Sequence, residues 1–256
     1  MFAESPPPVR QMANASVQRT LIIIPAFNEE QALPAVLKSL RSNVAEWDVL
    51  VVDDGSTDGT ASAAAAGGAM VARLPFNLGI GGALRTGFRF AARMGYQRAV
   101  QFDADGQHEA TEIHRLLDEV GRGADLAVGS RFAAEQRDYR VGPARRAAMS
   151  VLRVAITLLA GHRLTDTSSG FRAFSRSMLE FFASTYPIEY MDSVEALLLA
   201  CYAGFRVIEV PIVMHQRLAG TPANRQWRLV YHYLRLLLVM ISMASIPKSS
   251  TGRTSA

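Results

Sequence analysis

The first third of the chain contains the stretch Leu21-Ile-Ile-Ile-Pro25-Ala-Phe-Asn28-Glu29-Glu30, in which an unbroken apolar run leads directly into polar and acidic residues. The same arrangement recurs at Val49-Leu-Val-Val-Asp53-Asp54-Gly55-Ser56 and at Ala99-Val-Gln-Phe-Asp103-Ala-Asp105-Gly106. Apolar runs that are continuous rather than alternating indicate strands covered on both faces. Helix-patterned segments lie between and after these runs, at 32–42, 57–67, 82–94 and 111–122. This order predicts right-handed crossovers and an α/β fold with a mostly parallel sheet.

The acid pair Asp103 and Asp105 is the sharpest chemical feature of the sequence. Ligands of open α/β sheets bind where parallel strands end, and residues i and i+2 at a strand end project to the same side. Carboxylate oxygens suit Mg²⁺ or Mn²⁺, which in proteins commonly bind one or two carboxylates together with substrate phosphates. The pattern therefore predicts chemistry on a nucleotide diphosphate. Taken alone, Asp-x-Asp-Gly is equally typical of a capped turn.

Two other segments are predicted to lie at the same strand ends as the acid pair. Asp53 follows a buried strand, and acids at this place in dinucleotide-binding folds accept hydrogen bonds from a ribose hydroxyl. Ser56 could contribute to the same site, but it also fits the N-cap of the following helix. The segment Asn77-x-Gly79-x-Gly81-Gly82 resembles a loop whose backbone N–H groups bind an anion at a helix start. A turn followed by a cap explains that glycine-rich segment equally well.

Composition limits the possible classes of protein. The 256 residues, of which 49% are hydrophobic and 20% charged, suffice for one large α/β domain with or without an appendage. The net charge is +4, but Lys38 and Lys248 are the only lysines, and no basic run or stacking motif indicates nucleic-acid binding. Cys201 is the single cysteine, which excludes an intramolecular disulfide and a cysteine zinc site. Residues 1–19 lack the apolar core of a secretory signal.

Taken in order, these motifs resemble the inverting nucleotide-sugar glycosyltransferases of family 2, which have the GT-A (Rossmann-like) fold. Within that family they are most similar to the dolichyl- and polyprenyl-phosphate mannosyltransferases. The resemblance covers residues 20–218, and it includes Gly129-Ser-Arg131 at a strand end and Asp166-Thr-Ser-Ser-Gly170-Phe-Arg172 in an acceptor-side loop. It implies an inverting hexosyltransferase with a mostly parallel mixed sheet flanked by helices.

The resemblance also implies roles for individual residues. The donor, a UDP- or GDP-linked sugar, would contact a larger set of residues: Pro25, Phe27, Asn28, Glu29, Asp53, Ser56, Asn77, Gly79, Asp103, Ala104, Asp105 and Arg217. The divalent metal, Mg²⁺ or Mn²⁺, would be held by Asp103, Asp105 and Gln107. The acceptor would contact Arg145, Arg146, Ser150, Ser169 and Gly170. The catalytic set would be Asp103, Asp105, Arg131 and Glu195.

Some of these positions have alternative explanations or depart from the family pattern. Arg146 and Ser150 share a helix face, but Arg145 and Arg146 also fit a solvated helix start. Many relatives carry a basic residue where Ile80 stands, which weakens side-chain phosphate binding in that loop. The loop at Arg217 lacks the lysine that relatives often have, although its arginine and Gly220 match.

The acceptor decides whether a general base is needed. A phosphate monoester has its second pKa near ~6 and attacks directly at neutral pH, whereas a sugar hydroxyl needs a carboxylate to take its proton. Asp192 and Glu195 are the two candidates for that base, and they also fit a capping box. His108 and His215 are lone histidines of the kind usually found on surfaces, and only His108, beside the acid pair, merits testing.

The C-terminal region predicts contact with a membrane. Arg228, His232 and Arg235 form one basic stripe at helical spacing, beside Trp227 and an apolar run that is too short to span a bilayer. Such a helix is typical of the headgroup region of a membrane, although packing against the domain or a partner subunit explains it too.

The domain boundaries follow from these segments. We expect a disordered lead-in at 1–19, a catalytic domain at 20–218, an amphipathic helical appendage at 219–246 and a disordered tail at 247–256.

The resulting functional hypothesis is metal-dependent transfer of a sugar to a polyprenyl phosphate by a cytoplasmic enzyme at the inner face of the cell membrane. The alternative within enzymes is transfer to a hydroxyl of a saccharide or of a lipid-linked glycan in cell-envelope polysaccharide synthesis. A non-catalytic nucleotide-sugar-binding scaffold is a weaker alternative, because a scaffold has no need to arrange a metal. A phosphoryl-accepting receiver domain would leave Asp105 unexplained.

Overall fold

The computed structural model describes residues 19–130, 164, 166–167, 169–188 and 192–213, with Asp192 placed by its backbone alone. The strands in these ranges are β1 (Thr20–Ala26), β2 (Asp48–Asp53), β3 (Met70–Arg73), β4 (Arg98–Gln101), β5 (Leu126–Ser130), β6 (Arg172–Ser175) and β7 (Val207–Pro211). The helices are α1 (Leu33–Asn43), α2 (Thr60–Ala66), α3 (Ile80–Arg93), α4 (Ile113–Gly121), α5 (Arg176–Thr185) and α6 (Asp192–Tyr202), with a 3₁₀ turn at Ala110–Glu112.

The seven strands of the described chain form one sheet in the order β3-β2-β1-β4-β6-β5-β7. Strand β6 runs antiparallel to both of its neighbours, β4 and β5. Every other pair in this sheet is parallel. The expected α/β fold with a mixed, mostly parallel sheet flanked by helices is therefore confirmed.

Strand β1 lies at the centre of this arrangement and is buried on both faces. Leu21 and Ile23 pack in the layer formed by α3, α5 and α6, whereas Ile22 and Ile24 pack in the opposite layer, formed mainly by α1 and α4. All four side chains are fully buried. Because side chains alternate along a strand, only a continuous apolar run can fill two such layers.

An aromatic cluster joins α3 to the sheet and to α5. The ring of Phe88 lies 4.9 Å from that of Phe174, 5.6 Å from that of Phe182 and 5.0 Å from that of Tyr186, measured between centroids. These residues are buried, and their tilted and edge-on contacts are the favourable geometries for aromatic pairs. The cluster fixes α3, whose N-terminus borders the strand ends described below.

The predicted N-terminal lead-in up to residue 18, the appendage at 219–246 and the tail at 247–256 lie outside the described residues. Within the part of the chain that the structure describes, no helix is both long enough and apolar enough to cross a membrane.

Candidate active site

The three strand ends singled out in the sequence lie side by side in the sheet. Ala26 at the end of β1 pairs with Asp53 at the end of β2, and on the other side Ile23 of β1 pairs with Gln101 at the end of β4. The tips of β2 and β4 are thus two inter-strand spacings apart, roughly 10 Å. A ligand as large as a nucleotide diphosphate can span this edge.

The Asp53 carboxylate is fully buried at the end of β2 and organises its own loop. Its Oδ1 accepts a hydrogen bond of 2.9 Å from the backbone N–H of Ser56, and its Oδ2 lies 3.4 Å from Nε of Arg73. The Ser56 hydroxyl in turn accepts the backbone N–H of Asn28 at 3.0 Å. Asp53 and Ser56 therefore fix the loop between β2 and α2 to the loop after β1.

Further hydrogen bonds join these two loops. Asn28 has a left-handed backbone, with φ of 56°, and its Oδ1 accepts the Thr57 backbone N–H at 2.9 Å. The backbone N–H of Glu29 donates to the Thr60 hydroxyl at 2.9 Å, and the Glu30 carboxylate accepts the Gly59 N–H at 2.7 Å. Hydrogen bonds therefore join loops 27–30 and 56–60 into one wall beside the ends of β1 and β2. Phe27, with 45% of its surface exposed, projects from this wall, and Pro25 is partly buried at its base.

Asp54 ties the glycine-containing loop to the same strand end. Its Oδ1 accepts the backbone N–H of Leu78 at 2.7 Å. Asn77 closes its own turn by accepting the Gly79 N–H at 3.0 Å, and Gly79, with φ of 81°, caps α3. The turn followed by a cap, given above as the alternative for this segment, is therefore present at the start of α3, and the buried Asp54 carboxylate holds it beside Asp53.

We expect Asp54→Asn to change how stability depends on pH. Burial raises the pKa of Asp54, an effect that its hydrogen bonds from Leu78 and Gly79 only partly offset. The folded protein then binds a proton more tightly than the unfolded chain. Protonation of Asp54 therefore stabilises the folded state at low pH. This stabilisation is lost as pH rises from the ordinary aspartate pKa of ~3.9 through the raised pKa of Asp54 in the folded protein. The melting temperature of Asp54→Asn should rise relative to wild type across that window.

Asp58→Asn provides the matched control with the opposite sign. Slight burial acts on Asp58 too, but hydrogen bonds from Thr60 and Glu30 outweigh it and lower its pKa. Asp58→Asn should lose stability relative to wild type as pH rises through the lowered pKa of Asp58 in the folded protein and up to the ordinary aspartate pKa. Melting curves in which both variants show the same trend with pH would contradict the assignment for Asp54.

Asp103 lies just beyond β4, after Phe102, whose N–H still donates to the Ile23 carbonyl at 3.0 Å. Its backbone N–H donates to Nδ1 of His108 at 3.2 Å, and Nε2 of the same imidazole lies 3.5 Å from its Oδ2. Its Oδ1 is buried and the Gln101 side chain acts on the same carboxyl group, although 29% of the Asp103 side chain is exposed. One carboxylate oxygen thus faces His108, and polar side chains surround the buried part of the group.

Asp105 lies in the turn that follows. Its Oδ1 accepts the Gln107 N–H at 3.0 Å, and Gly106 completes the turn with φ of 75°. The turn, rather than the alternation of a continuing strand, therefore sets the direction of this side chain. Ala104, between the two acids, is buried. The capped turn considered as an alternative is present, and it keeps the two acids close enough for their charges to interact.

The electrostatics of Asp103 suit a cation. Burial raises the pKa of this carboxyl group and the Asp105 charge raises it further, while His108, a hydrogen bond from the Gln101 side chain and the Arg172 charge lower it. Within the described residues no three His, Cys, Asp or Glu side chains form a ready-made metal cage. Two neighbouring carboxylates whose charges repel each other fit a hard divalent cation that takes its remaining ligands from a substrate.

The structure corrects the expectation for His108. Its side chain is only 2% exposed, stacks on Phe171 with ring centroids 4.7 Å apart and meets Phe102 edge-on at 5.3 Å. It is not an ordinary surface histidine, because aromatic rings enclose it while both of its nitrogens face Asp103. Proximity to the acid pair was the only feature of the sequence that pointed to this position.

Gly170, which the resemblance assigns to the acceptor together with Ser169, lies directly against Asp103. Oδ2 of Asp103 is 2.8 Å from the position that a Cβ on Gly170 would occupy. Ser169 is buried, and its hydroxyl accepts the Phe171 N–H at 3.3 Å. Arg172, for which no individual role was predicted, is fully buried in the same segment.

Helix α6 carries both candidate bases and packs in the layer of α3 and α5. Glu195 lies partly buried in its first turn, and its neighbours Val194 and Ala196 pack in the layer of α3 and α5. Asp192 begins the helix. The other predicted site residues lie outside the described residues: Arg131, Arg145, Arg146, Ser150, His215 and Arg217.

Comparison with known proteins gives consistent results. Residues 21–182 match the family model described as glycosyl transferase family 2. A polyprenol monophosphomannose synthase from Mycolicibacterium smegmatis is 35% identical over 219 residues, which cover 79% of this chain and 80% of that protein. An undecaprenyl-phosphate mannosyltransferase from Micrococcus luteus is 36% identical over 210 residues, which cover 79% and 86%.

Among solved structures, glucosyl-3-phosphoglycerate synthase from Mycobacterium tuberculosis, in complex with Mn²⁺, UDP-glucose and phosphoglyceric acid, has a TM-score of 0.66 at 23% identity. The match covers 92% of this chain and 83% of that one. At this identity the likeness shows the shared GT-A fold.

Proposed function

This chain belongs to glycosyl transferase family 2 and is a glycosyltransferase, and we propose that it transfers a hexose from a nucleotide diphosphate to the phosphate of a polyprenyl lipid. The observation that carries the proposal is the acid pair, in which the partly buried Asp103 carboxyl group lies close enough to Asp105 for the two charges to repel each other. The two relatives described above, whose names specify polyprenol and undecaprenyl-phosphate chemistry, support this acceptor class.

In this proposal Asp103 and Asp105 hold Mg²⁺ or Mn²⁺, with Gln107 as a further contact. The cation would neutralise the charge that develops on the departing nucleoside diphosphate. The wall formed by loops 27–30 and 56–60 binds the nucleoside, and its hydrogen bonds hold it in place before substrate arrives. The resemblance assigns Arg131 to the catalytic set, Arg217 to the donor and Arg145, Arg146 and Ser150 to the acceptor phosphate.

Product formation tests the proposal directly. Purified protein is incubated with Mn²⁺ and UDP- or GDP-linked hexoses, together with polyprenyl phosphate or the matching polyprenol. We expect a lipid-linked monosaccharide from one donor and from the phosphate alone, because the free alcohol lacks an ionised nucleophile at neutral pH. Transfer to polyprenol or to a glycan hydroxyl, with none to the phosphate, would contradict the proposed acceptor.

The alternative, a hydroxyl acceptor, is favoured only by the placement of Glu195 in the first turn of α6. We expect Glu195→Gln and Asp192→Asn to keep close to wild-type turnover, because a phosphate acceptor needs no base. Glu195, which the resemblance placed in the catalytic set, would then have no part in the transfer. A general base contributes typically ~10²–10⁴-fold to a rate. Steady-state rates would support the hydroxyl mechanism if either variant lost activity on that scale while its melting temperature stayed unchanged.

We also propose a location at the inner face of the cell membrane, where a lipid acceptor is found. The basic stripe of Arg228, His232 and Arg235 beside Trp227 supports it, because such a helix suits an anionic headgroup region. Co-sedimentation of the full chain with vesicles that contain anionic lipid tests this location. Protein that remains in the supernatant at low salt would contradict it.

A further inference from the structure

A second group of buried polar side chains lies beneath the acid pair. Gln101 is the last residue of β4 and pairs across the sheet with Arg172, the first residue of β6. Both are fully buried, and a side-chain hydrogen bond links Gln101 to the Asp103 carboxyl group. The side chains of Gln101 and Asp103 meet beside Gly170, whose Cβ position lies 3.1 Å from Nε2 of Gln101 and 3.0 Å from Oδ1 of Asp103. The group therefore continues directly into the proposed metal site.

Arg172 holds the backbone of the segment that precedes it. Its Nε donates to the Ser169 carbonyl at 2.8 Å and its Nη2 donates to the Thr167 carbonyl at 3.2 Å, whereas Nη1 has no partner. A buried guanidinium is costly unless a negative charge compensates it. The Asp103 carboxylate supplies such a charge, and the two groups interact electrostatically.

Gly170 is the point where this segment touches Asp103. A Cβ at this position would lie 2.8 Å from Oδ2 of Asp103, 3.0 Å from Oδ1 and 3.1 Å from Nε2 of Gln101. The backbone of Gly170 is not left-handed, so an L-residue meets no backbone strain there. What excludes a side chain is the carboxylate itself.

We propose that Gly170 and Arg172 are positioning residues for Asp103: Gly170 allows segment 169–172 to lie directly on the carboxylate, and the buried guanidinium secures that segment and balances the charge. The loop that the sequence assigned to the acceptor thereby also sets the geometry of the donor-side carboxylate. This inference rests on the proposed metal site at Asp103 and Asp105. It predicts that a substitution in segment 169–172 alters metal binding although the substituted residue does not contact the metal.

Gly170→Ala tests the contact, and Gly121→Ala is its matched control. Gly121 lies in α4 with a right-handed backbone, and a Cβ there would meet nothing within 4 Å. In titrations of Mn²⁺ with UDP or GDP present, we expect Gly170→Ala to weaken metal binding about tenfold or more, the scale seen when supporting partners of metal ligands are lost. Gly121→Ala should bind as wild type does. Wild-type metal affinity in Gly170→Ala, at an equal melting temperature, would overturn the inference.

Arg172→Lys and Arg172→Met separate the role of charge from the role of packing. Both variants lose the fork of hydrogen bonds to the loop, but lysine keeps the positive charge next to Asp103. We expect the lysine variant to recover part of the Mn²⁺ affinity that the methionine variant loses. Equal metal affinity in the two variants would overturn the part assigned to the guanidinium charge.

A crystal structure of Gly170→Ala without metal tests the inference independently of the proposed function. We expect the Asp103 side chain to leave its wild-type rotamer, because the added methyl group occupies the space of the carboxylate. An Asp103 side chain that kept its position would overturn the inference whether or not the wild-type protein binds metal. Wild-type protein that bound no Mn²⁺ in the titrations would instead overturn the proposed function.

Discussion

Asp105→Asn should reduce turnover by about three orders of magnitude while leaving the fold intact. The amide oxygen still accepts the Gln107 N–H that closes the turn, so the loop keeps its shape. The variant lacks one of two carboxylate charges that would hold the cation. Loss of about 4 kcal/mol of transition-state stabilisation, the scale of one preorganised electrostatic contact, corresponds to roughly a thousandfold in rate. The rate at which the nucleoside diphosphate is released in single-turnover reactions measures this loss.

Asp118→Asn is the control for this prediction. It makes the same chemical change on the exposed face of α4, away from the strand ends, and should leave turnover unchanged. Circular dichroism and melting curves establish that Asp105→Asn is folded. If the folded Asp105→Asn protein turned over as fast as Asp118→Asn, Asp105 would have no part in the chemistry.

Gly55→Ala should be the most destabilising of the substitutions considered, and it should also weaken donor binding. Gly55 has a left-handed backbone with φ of 71°, and a Cβ there would lie 2.6 Å from the carbonyl carbon of Phe76. The left-handed backbone costs about 1–2 kcal/mol, and a clash with backbone that cannot move aside costs about 1–3 kcal/mol more. The melting temperature should fall by roughly 10 °C. Since Gly55 packs against the 76–79 loop, the loop should separate from β2.

Gly95→Ala separates the two costs. Gly95 is also left-handed, with φ of 76°, but nothing lies within 4 Å of its Cβ position. Only the backbone cost applies, and the melting temperature should fall by roughly 2–8 °C. Thermal unfolding of both variants, with nucleotide titrations in parallel, provides the comparison. Equal losses of stability would show that the contact with Phe76 contributes nothing.

The central strands could be predicted from the sequence because their burial on two faces leaves a continuous apolar run. The expected strand at 20–25 is observed at Thr20–Ala26, and the expected helix at 82–94 is observed at Ile80–Arg93. Edge strand β3 was not anticipated, because its four residues alternate between partly buried and exposed and carry little apolar signal. Strand β6 is equally short, and its first residue is a buried arginine.

Placement of the site was predictable only in part. The order of the strands puts Asp53 and Asp103 at one edge of the sheet, which a parallel α/β pattern implies. The support beneath Asp103 was not predictable, since Gln101, Gly170 and Arg172 come from positions about seventy residues apart in the sequence. Their cross-strand pairing exists only because β6 runs antiparallel beside β4. Local patterns in a sequence carry no information about such a pairing.

Thermal unfolding of the purified chain with UDP or GDP, each with and without Mn²⁺, is the most direct test of whether two carboxylates hold a cation for a diphosphate. A specific ligand at a hundred times its Kd stabilises the folded state by about 2.7 kcal/mol. The proposed site predicts that one diphosphate raises the melting temperature only when Mn²⁺ is present, and that this rise is absent in Asp105→Asn. An equal, metal-dependent rise in Asp105→Asn would contradict it.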